Sequence, residues 1–202
     1  MKILSVEKYK GNTFCIILEN GEHIYINESI ISQYGFDKGI EVSREKLNEA
    51  VSKDQKRKAK ERALYLLSYR DHSYMELFDK LSKTYTEEIS YEICDKMVKL
   101  GFINDEKYAK RLANQMYNTK YFGLRKIRFE LKRKGFLEET IDTATLEISE
   151  ENPKEKIFEL IDKKYARYLN DEKGIKKVTN ALARLGHDFS DIKEVIREYI
   201  EE

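Results

Sequence analysis

The residues of this chain that could do chemistry are basic ones, and they are concentrated in one segment. Between positions 107 and 134, ten lysines and arginines stand against a single acid, Glu130, which gives the segment a local charge of +9. The whole chain carries 38 basic and 37 acidic residues, so its formal net charge is only +1. A site for a polyanion must therefore come from such local segregation. The basic residues are Lys107, Lys110, Arg111, Lys120, Arg125, Lys126, Arg128, Lys132, Arg133 and Lys134.

Three of these basic residues are predicted to share the outer face of one helix. Apolar residues recur with helical spacing from Leu124 to Leu131, which leaves Arg125, Arg128 and Lys132 on the opposite side at i, i+3 and i+7. Such a row can follow a phosphate backbone or an acidic protein surface. A solvated helix face without a partner fits the same pattern.

Aromatic residues stand directly before this helix, at Tyr117, Tyr121 and Phe122. Aromatic rings beside a basic row can stack on unpaired bases, and we include Tyr121 among the candidate binding residues on that ground. The alternative is that these rings belong to the core. A second basic cluster, from Lys56 to Arg62, is typical of a solvated helix surface.

The sequence contains no recognisable catalytic constellation. His23, His72 and His187 are isolated, with no cysteine or carboxylate at the spacing of metal ligands. Cys15 and Cys94 are far apart and fit buried free thiols. Glycine-rich phosphate-binding motifs are absent from the sequence as well. We therefore expect a protein without catalytic residues, bound metal or cofactor.

The composition predicts a mainly α-helical protein. One proline and nine glycines in 202 residues are too few for most all-β architectures. The N-terminus lacks the apolar region of a signal peptide, and no apolar run approaches the length of a membrane span. We expect a cytoplasmic monomer that does not contact membranes.

The elements that must position the basic residues are predicted to fall into one β module and three helical repeats. Alternating residues before and after Asn20-Gly21 indicate a three-stranded antiparallel meander. Apolar pairs with the same i, i+4 spacing recur at intervals of 50 and 51 residues: Leu77/Leu81, Ile127/Leu131 and Val178/Leu182. The predicted boundaries are 1–42 for the β module, 43–72 for a long connecting helix, and 73–103, 104–150 and 151–202 for the three repeats. Stacked three-helix repeats predict an elongated, curved body.

Several short motifs in the middle repeat resemble the signature of the RecX family of regulatory proteins. These are the run from Leu100 to Ala109, then Gly123 with Lys126-Ile127, and the run from Glu130 to Phe136. The first and third repeats resemble the flanking repeats of the family more loosely. The N-terminal β module looks like the extension found in family members from low-GC Gram-positive bacteria.

The resemblance implies a non-enzymatic protein that lies in the groove of the RecA recombinase filament on single-stranded DNA. It implies that the protein inhibits the ATPase, strand-exchange and coprotease activities of the filament. The filament-binding residues would then be the ten basic residues together with Tyr121. The third repeat has Ala183-Arg184-Leu185-Gly186 where the middle repeat has Lys132-Arg133-Lys134-Gly135, so its contact with DNA stays open.

Two functions of other classes remain open on the sequence. One is a helical-repeat module that binds nucleic acid without a recombinase partner. The other is a structural scaffold that assembles through its repeats. A nuclease or phosphodiesterase fits least, because adjacent motif residues do not form a metal-ligand cluster.

Overall fold

The computed structural model describes residues 1–201, which contain three β-strands and ten α-helices. Contacts between residues divide the chain into two compact units. The first comprises Met1–Arg70 and Phe78–Lys99, and the second comprises Asp71–Leu77 and the chain from Leu100 onward. The prediction of a mainly α-helical protein with an N-terminal antiparallel β module and tandem three-helix repeats is confirmed.

The first unit begins with a three-stranded meander. Strands β1 (Ile3–Lys10), β2 (Thr13–Leu18) and β3 (His23–Asn27) pair antiparallel in chain order. Ile16 lies opposite Ile24 in this register, and both are buried. The alternation of apolar residues that predicts the strands thus produces one buried face.

Two helices cover this buried face. Helix α1 (Glu28–Tyr34) is capped by the Asn27 side chain and ends at Gly35, whose φ of 63° lies in the left-handed region. Helix α2 (Arg44–Tyr69) is capped by Ser43 and runs for 26 residues without a break. It is the long helix that the sequence predicts after the β module.

Asp54 fixes helix α2 to the sheet. Its side chain is almost completely buried, and Oδ1 accepts a hydrogen bond of 3.2 Å from the backbone N–H of Asn27. Arg57 and Lys58, one turn later, form ion pairs of 3.0 and 2.7 Å with the same carboxylate. Because a buried charge is costly unless it is paired, these cations make the buried carboxylate tolerable.

Eight further helices follow helix α2. They are α3 (Tyr74–Leu81), α4 (Glu87–Lys99), α5 (Asp105–Lys120), α6 (Leu124–Arg133), α7 (Glu138–Glu150), α8 (Pro153–Leu160), α9 (Glu172–Arg184) and α10 (Phe189–Glu201). Asn104 accepts a hydrogen bond from the N–H of Lys107 and so caps α5. Pro153 stands in the first turn of α8, where its missing N–H costs nothing.

Two of the three-helix bundles lie in the second unit. Helices α5, α6 and α7 bury Ala113, Ile127 and Ile141 in one core. Helices α8, α9 and α10 bury Leu182 and Ile192 in another, together with further aliphatic residues. These cores contain two of the three residue pairs whose spacing predicts the repeats, Ile127/Leu131 and Val178/Leu182.

Apolar residues from Ile157 to Tyr168 keep helical spacing and predict one helix up to Tyr168, but the structure differs. After α8 the chain forms a π-helical turn over Ile161–Tyr165 and a 3₁₀ turn over Ala166–Tyr168. The N–H of Ala166 reaches back to the carbonyl of Ile161, five residues earlier, which widens the helix at this point.

Equivalent glycines join successive repeats within the second unit. Gly135 and Gly186 have φ of 79° and 88° and end helices α6 and α9. The Ser73 hydroxyl donates to the carbonyl oxygen of Lys134, and the N–H of Gly123 donates to that of Leu185 at 2.8 Å. The start of α3 is therefore bonded to the glycine turn that ends α6, and the start of α6 is bonded to the glycine turn that ends α9.

Substitution of Gly186 by alanine tests how much this junction contributes to stability. A Cβ at Gly186 would lie 2.7 Å from the backbone nitrogen of Lys126, whereas a Cβ at Gly101, whose φ is also positive, would meet nothing within 4 Å. We expect Gly101→Ala to lower the free energy of unfolding by about 1 kcal/mol through backbone strain alone. Gly186→Ala should cost about 1–3 kcal/mol more because the backbones must separate.

Urea unfolding of both variants measures the difference. Equal losses of stability would show that the two glycines are needed only for their backbone conformation and that the junction is loosely packed.

Candidate nucleic-acid interface

Helix α6 presents the most exposed part of the basic segment. Ile127 and Leu131 are fully buried in the core with α5 and α7. Because these two residues face the core, the period of the α-helix places four other residues of α6 on the solvent side. We call them the outer face of α6: Arg125, Phe129, Lys132 and Arg133.

The three cations of the outer face are largely solvated. The side chains of Arg125, Lys132 and Arg133 are 75%, 75% and 70% exposed. They form surface ion pairs with Asp188 at 3.5 Å, Glu138 at 3.7 Å and Glu130 at 2.9 Å, respectively. Because such exposed pairs contribute about 0–1 kcal/mol, a phosphate group can replace the carboxylate at little cost.

Arg128 does not belong to this outer row, although the sequence places it there. Its guanidinium forms ion pairs of 2.6 Å with Asp142 and 2.5 Å with Glu138, and it donates to the hydroxyl of Thr145 at 3.3 Å. The hydrogen bond with Asp142 raises the pKa of Arg128 further. Arg128 therefore connects α6 to α7, and the exposed row consists of Arg125, Lys132 and Arg133.

Lys126 and Lys134 are also engaged inside the second unit. The Lys126 ammonium donates to the carbonyl of Arg184 at 3.0 Å and lies 4.3 Å from the centre of the Phe122 ring. The Lys134 ammonium pairs with Glu76 at 2.8 Å. Both lysines thus contribute to the junctions between repeats.

The four basic residues on α5 divide into two pairs. Lys110 and Arg111 form ion pairs, with Glu147 at 2.7 Å and with Asp71. For Lys107 and Lys120, no carboxylate of residues 1–201 lies within ion-pair distance. Lys107 and Lys120 are therefore available to an anionic partner, alongside the outer face of α6.

Tyr121 lies in the core and does not offer a stacking face. Its residue is 9% exposed and takes a left-handed conformation, with φ of 57°, at the end of α5. The hydroxyl donates to Glu159 at 2.9 Å and accepts from Lys163 at 2.6 Å. Tyr117 is buried as well, and burial raises the pKa of its hydroxyl. The expectation that Tyr121 stacks on a base is wrong, because the ring packs within the third repeat.

The aromatic residue that does reach the surface beside the cations is Phe129, which the sequence analysis missed. It is 63% exposed, on the same helix face as Arg125 and Lys132. The signal was present in the sequence, because Phe129 stands two residues from both Ile127 and Leu131 and so falls out of phase with the buried stripe.

Among the histidines and cysteines, the Cys15 thiol lies against the His23 imidazole, with Sγ and Nδ1 3.7 Å apart. The His187 Nε2–H donates to the carbonyl of Tyr121 at 2.9 Å, and burial lowers the pKa of this imidazole. Cys15 and Cys94 are buried free thiols. Within residues 1–201, histidine, cysteine and carboxylate side chains nowhere form a group of three that could hold a metal ion. In the same range, none of the helices is long and apolar enough to cross a membrane.

Comparison with protein families gives two matches, both to domains of one family. The second three-helix domain of RecX matches residues 104–144, and the first three-helix domain of RecX matches residues 59–97. The chain thus resembles the RecX family over both of these domains. The outer face of α6 lies within residues 104–144, which match the second three-helix domain of RecX.

Individual RecX proteins resemble the chain over almost its whole length. The regulatory protein RecX of Clostridioides difficile is 27% identical, and the match covers 98% of this chain and 95% of the relative. That of Streptococcus sanguinis is 28% identical, with 99% of this chain and 100% of the relative covered. These relatives support a regulatory role of the RecX type.

Solved RecX structures share the fold. A crystal structure of a regulatory protein RecX has a TM-score of 0.68 and 29% identity, with 98% of both chains covered. The crystal structure of RecX from Lactobacillus salivarius has a TM-score of 0.64 and 29% identity, and it covers 74% of this chain and 99% of its own.

The different positions of Arg128 and Lys132 predict effects of different size on stability. Arg128→Ala should lower the free energy of unfolding by about 1–2 kcal/mol, because two ion pairs and a hydrogen bond to the buried Thr145 are lost. Lys132→Ala should change it by less than about 0.5 kcal/mol, since the side chain is solvated. Chemical denaturation of both variants measures these changes. If Arg128→Ala left the free energy of unfolding unchanged, Arg128 would belong to the exposed row after all.

Proposed function

We propose that this protein binds the RecA filament on single-stranded DNA and inhibits its ATPase, strand-exchange and coprotease activities. The observation that carries the proposal is the exposed cationic row of Arg125, Lys132 and Arg133 within the matched RecX domain. The protein acts by occupying the filament rather than by chemistry on it.

The row suits a contact with a nucleoprotein filament on electrostatic grounds. Three exposed cations on one helix face can each neutralise a phosphate and release its counterion. The whole chain has a formal net charge of only +1, so attraction is confined to such surfaces. The protein therefore approaches an anionic groove with a defined face.

A module that binds nucleic acid without a recombinase is the second candidate, because the same row fits any exposed phosphate backbone. It differs from the main proposal in one measurable respect. Such a module would lower the activity of any single-strand-dependent enzyme by competing for DNA, and would do so only where it covers most of the strand.

The test is a titration of RecA ATPase on single-stranded DNA. We expect the protein to lower the rate at concentrations far below those that cover the DNA, and we expect no ATP hydrolysis by the protein itself. The triple variant Arg125→Ala/Lys132→Ala/Arg133→Ala should inhibit much less while keeping its fold, since these side chains are solvated.

The matched control removes three exposed lysines from the N-terminal β module and its loop: Lys8, Lys10 and Lys38. This variant loses the same charge and should inhibit like the wild type. An ATPase rate unaffected by saturating wild-type protein would refute the proposed function. Inhibition only at concentrations that cover the DNA would favour the module without a recombinase partner.

A further inference from the structure

We propose that Phe129 is a base-stacking residue, which inserts its ring against an unpaired base of the strand whose phosphates the neighbouring cations contact. The inference deepens the proposed function and rests on it for the location of the DNA. It assigns to one side chain the aromatic contact that Tyr121, buried in the third repeat, cannot make.

The exposure of Phe129 is not required by the fold. Phenylalanine is among the residues most often buried, yet Phe129 is 63% exposed in the middle of α6. The apolar residues that attach this helix to the core, Ile127 and Leu131, are fully buried without it. Within residues 1–201, no aromatic ring stacks on it and no cation lies over it. Its solvated ring is therefore free for a partner.

The neighbours of Phe129 select the chemistry of that partner. Arg125 lies one turn before it, and Lys132 and Arg133 lie three and four residues after it, so all three cations border the ring on one helix face. A ligand that complements this arrangement combines regularly spaced negative charge with flat apolar groups. Single-stranded nucleic acid has both, whereas a duplex keeps its bases stacked inside.

The internal repeats show that this combination is confined to the middle repeat. The positions equivalent to Phe129 are Asp79 in α3 and Asn180 in α9, at intervals of 50 and 51 residues. The buried positions keep their aliphatic character in all three helices, as Leu77, Ile127 and Val178 show. The three-helix fold thus forms with a polar residue at this point, and the aromatic ring is a feature of the surface of one repeat.

The chain contains no tryptophan, so Phe129→Trp introduces a single indole, which can be excited selectively, at the proposed contact. We expect its emission to be quenched when the full-length variant binds a short oligothymidylate, because stacking on a base quenches indole fluorescence. Asn180→Trp, at the equivalent position of the third repeat, is the matched control and should be quenched much less. Fluorescence anisotropy of labelled oligothymidylate measures binding in parallel.

Affinity and salt dependence separate stacking from charge. Phe129→Ala should weaken binding to oligothymidylate by between about 5-fold and 150-fold, the range for loss of one stacked base. The slope of log K against log salt should not change, since no charge is removed. In the triple variant of Arg125, Lys132 and Arg133 the slope should instead flatten by about two units, at roughly 0.7 for each phosphate contact.

The outcomes distinguish this inference from the proposed function. Phe129→Trp that binds oligothymidylate without quenching, or Phe129→Ala with wild-type affinity, overturns the stacking role even if RecA inhibition is intact. Quenching by oligothymidylate in a protein that leaves RecA ATPase unchanged supports the stacking role and refutes the proposed function. Loss of RecA inhibition in Phe129→Ala with unchanged DNA binding would assign the ring to a protein surface and overturn the inference.

Discussion

Burial of Ile127 and Leu131 in the middle core determines which side of helix α6 meets solvent. Both side chains are fully buried, and the helical period then leaves no freedom in the placement of the residues between them. Arg125, Phe129 and Lys132 point outward for that reason. The candidate interface is thus a consequence of packing on the opposite side of the same helix.

The glycine junctions extend this constraint from one helix to the neighbouring repeat. Gly186 lets the start of α6 approach the end of α9 so closely that a side chain would not fit. Lys126 completes the junction by donating to the carbonyl of Arg184. The cationic segment therefore serves two purposes, since some of its lysines and arginines hold the repeats together while others face solvent.

The division between structural and exposed cations depends on helix α7. Its acidic residues Glu138 and Asp142 draw Arg128 out of the row and neutralise it. Lys132 contacts the same Glu138 only at 3.7 Å and keeps a mostly solvated side chain. A count of charges along the sequence treats these two residues alike, although only one of them is available to a partner.

Local signals made most of the fold predictable, whereas the site depended on contacts between distant residues. Caps such as Asn104 and turns such as Asn20-Gly21 act on their immediate neighbours, so the sequence alone places the helix ends and the hairpin. The partners of Arg128 and Tyr121 lie on other helices, 10 to 42 residues away. No spacing rule within one helix reveals them, whereas the exposure of Phe129 follows from its position out of phase with the buried stripe.

Chemical footprinting of lysines on the assembled filament tests most directly that the outer face of α6 meets the partner. Lys132 is solvated in the free protein, and Lys10 is an exposed lysine in the β module. Acetylation read by mass spectrometry should show Lys132 strongly protected when the protein is bound to RecA on single-stranded DNA, with Lys10 much less changed. Full reactivity of Lys132 in a filament that carries the bound protein would contradict the account.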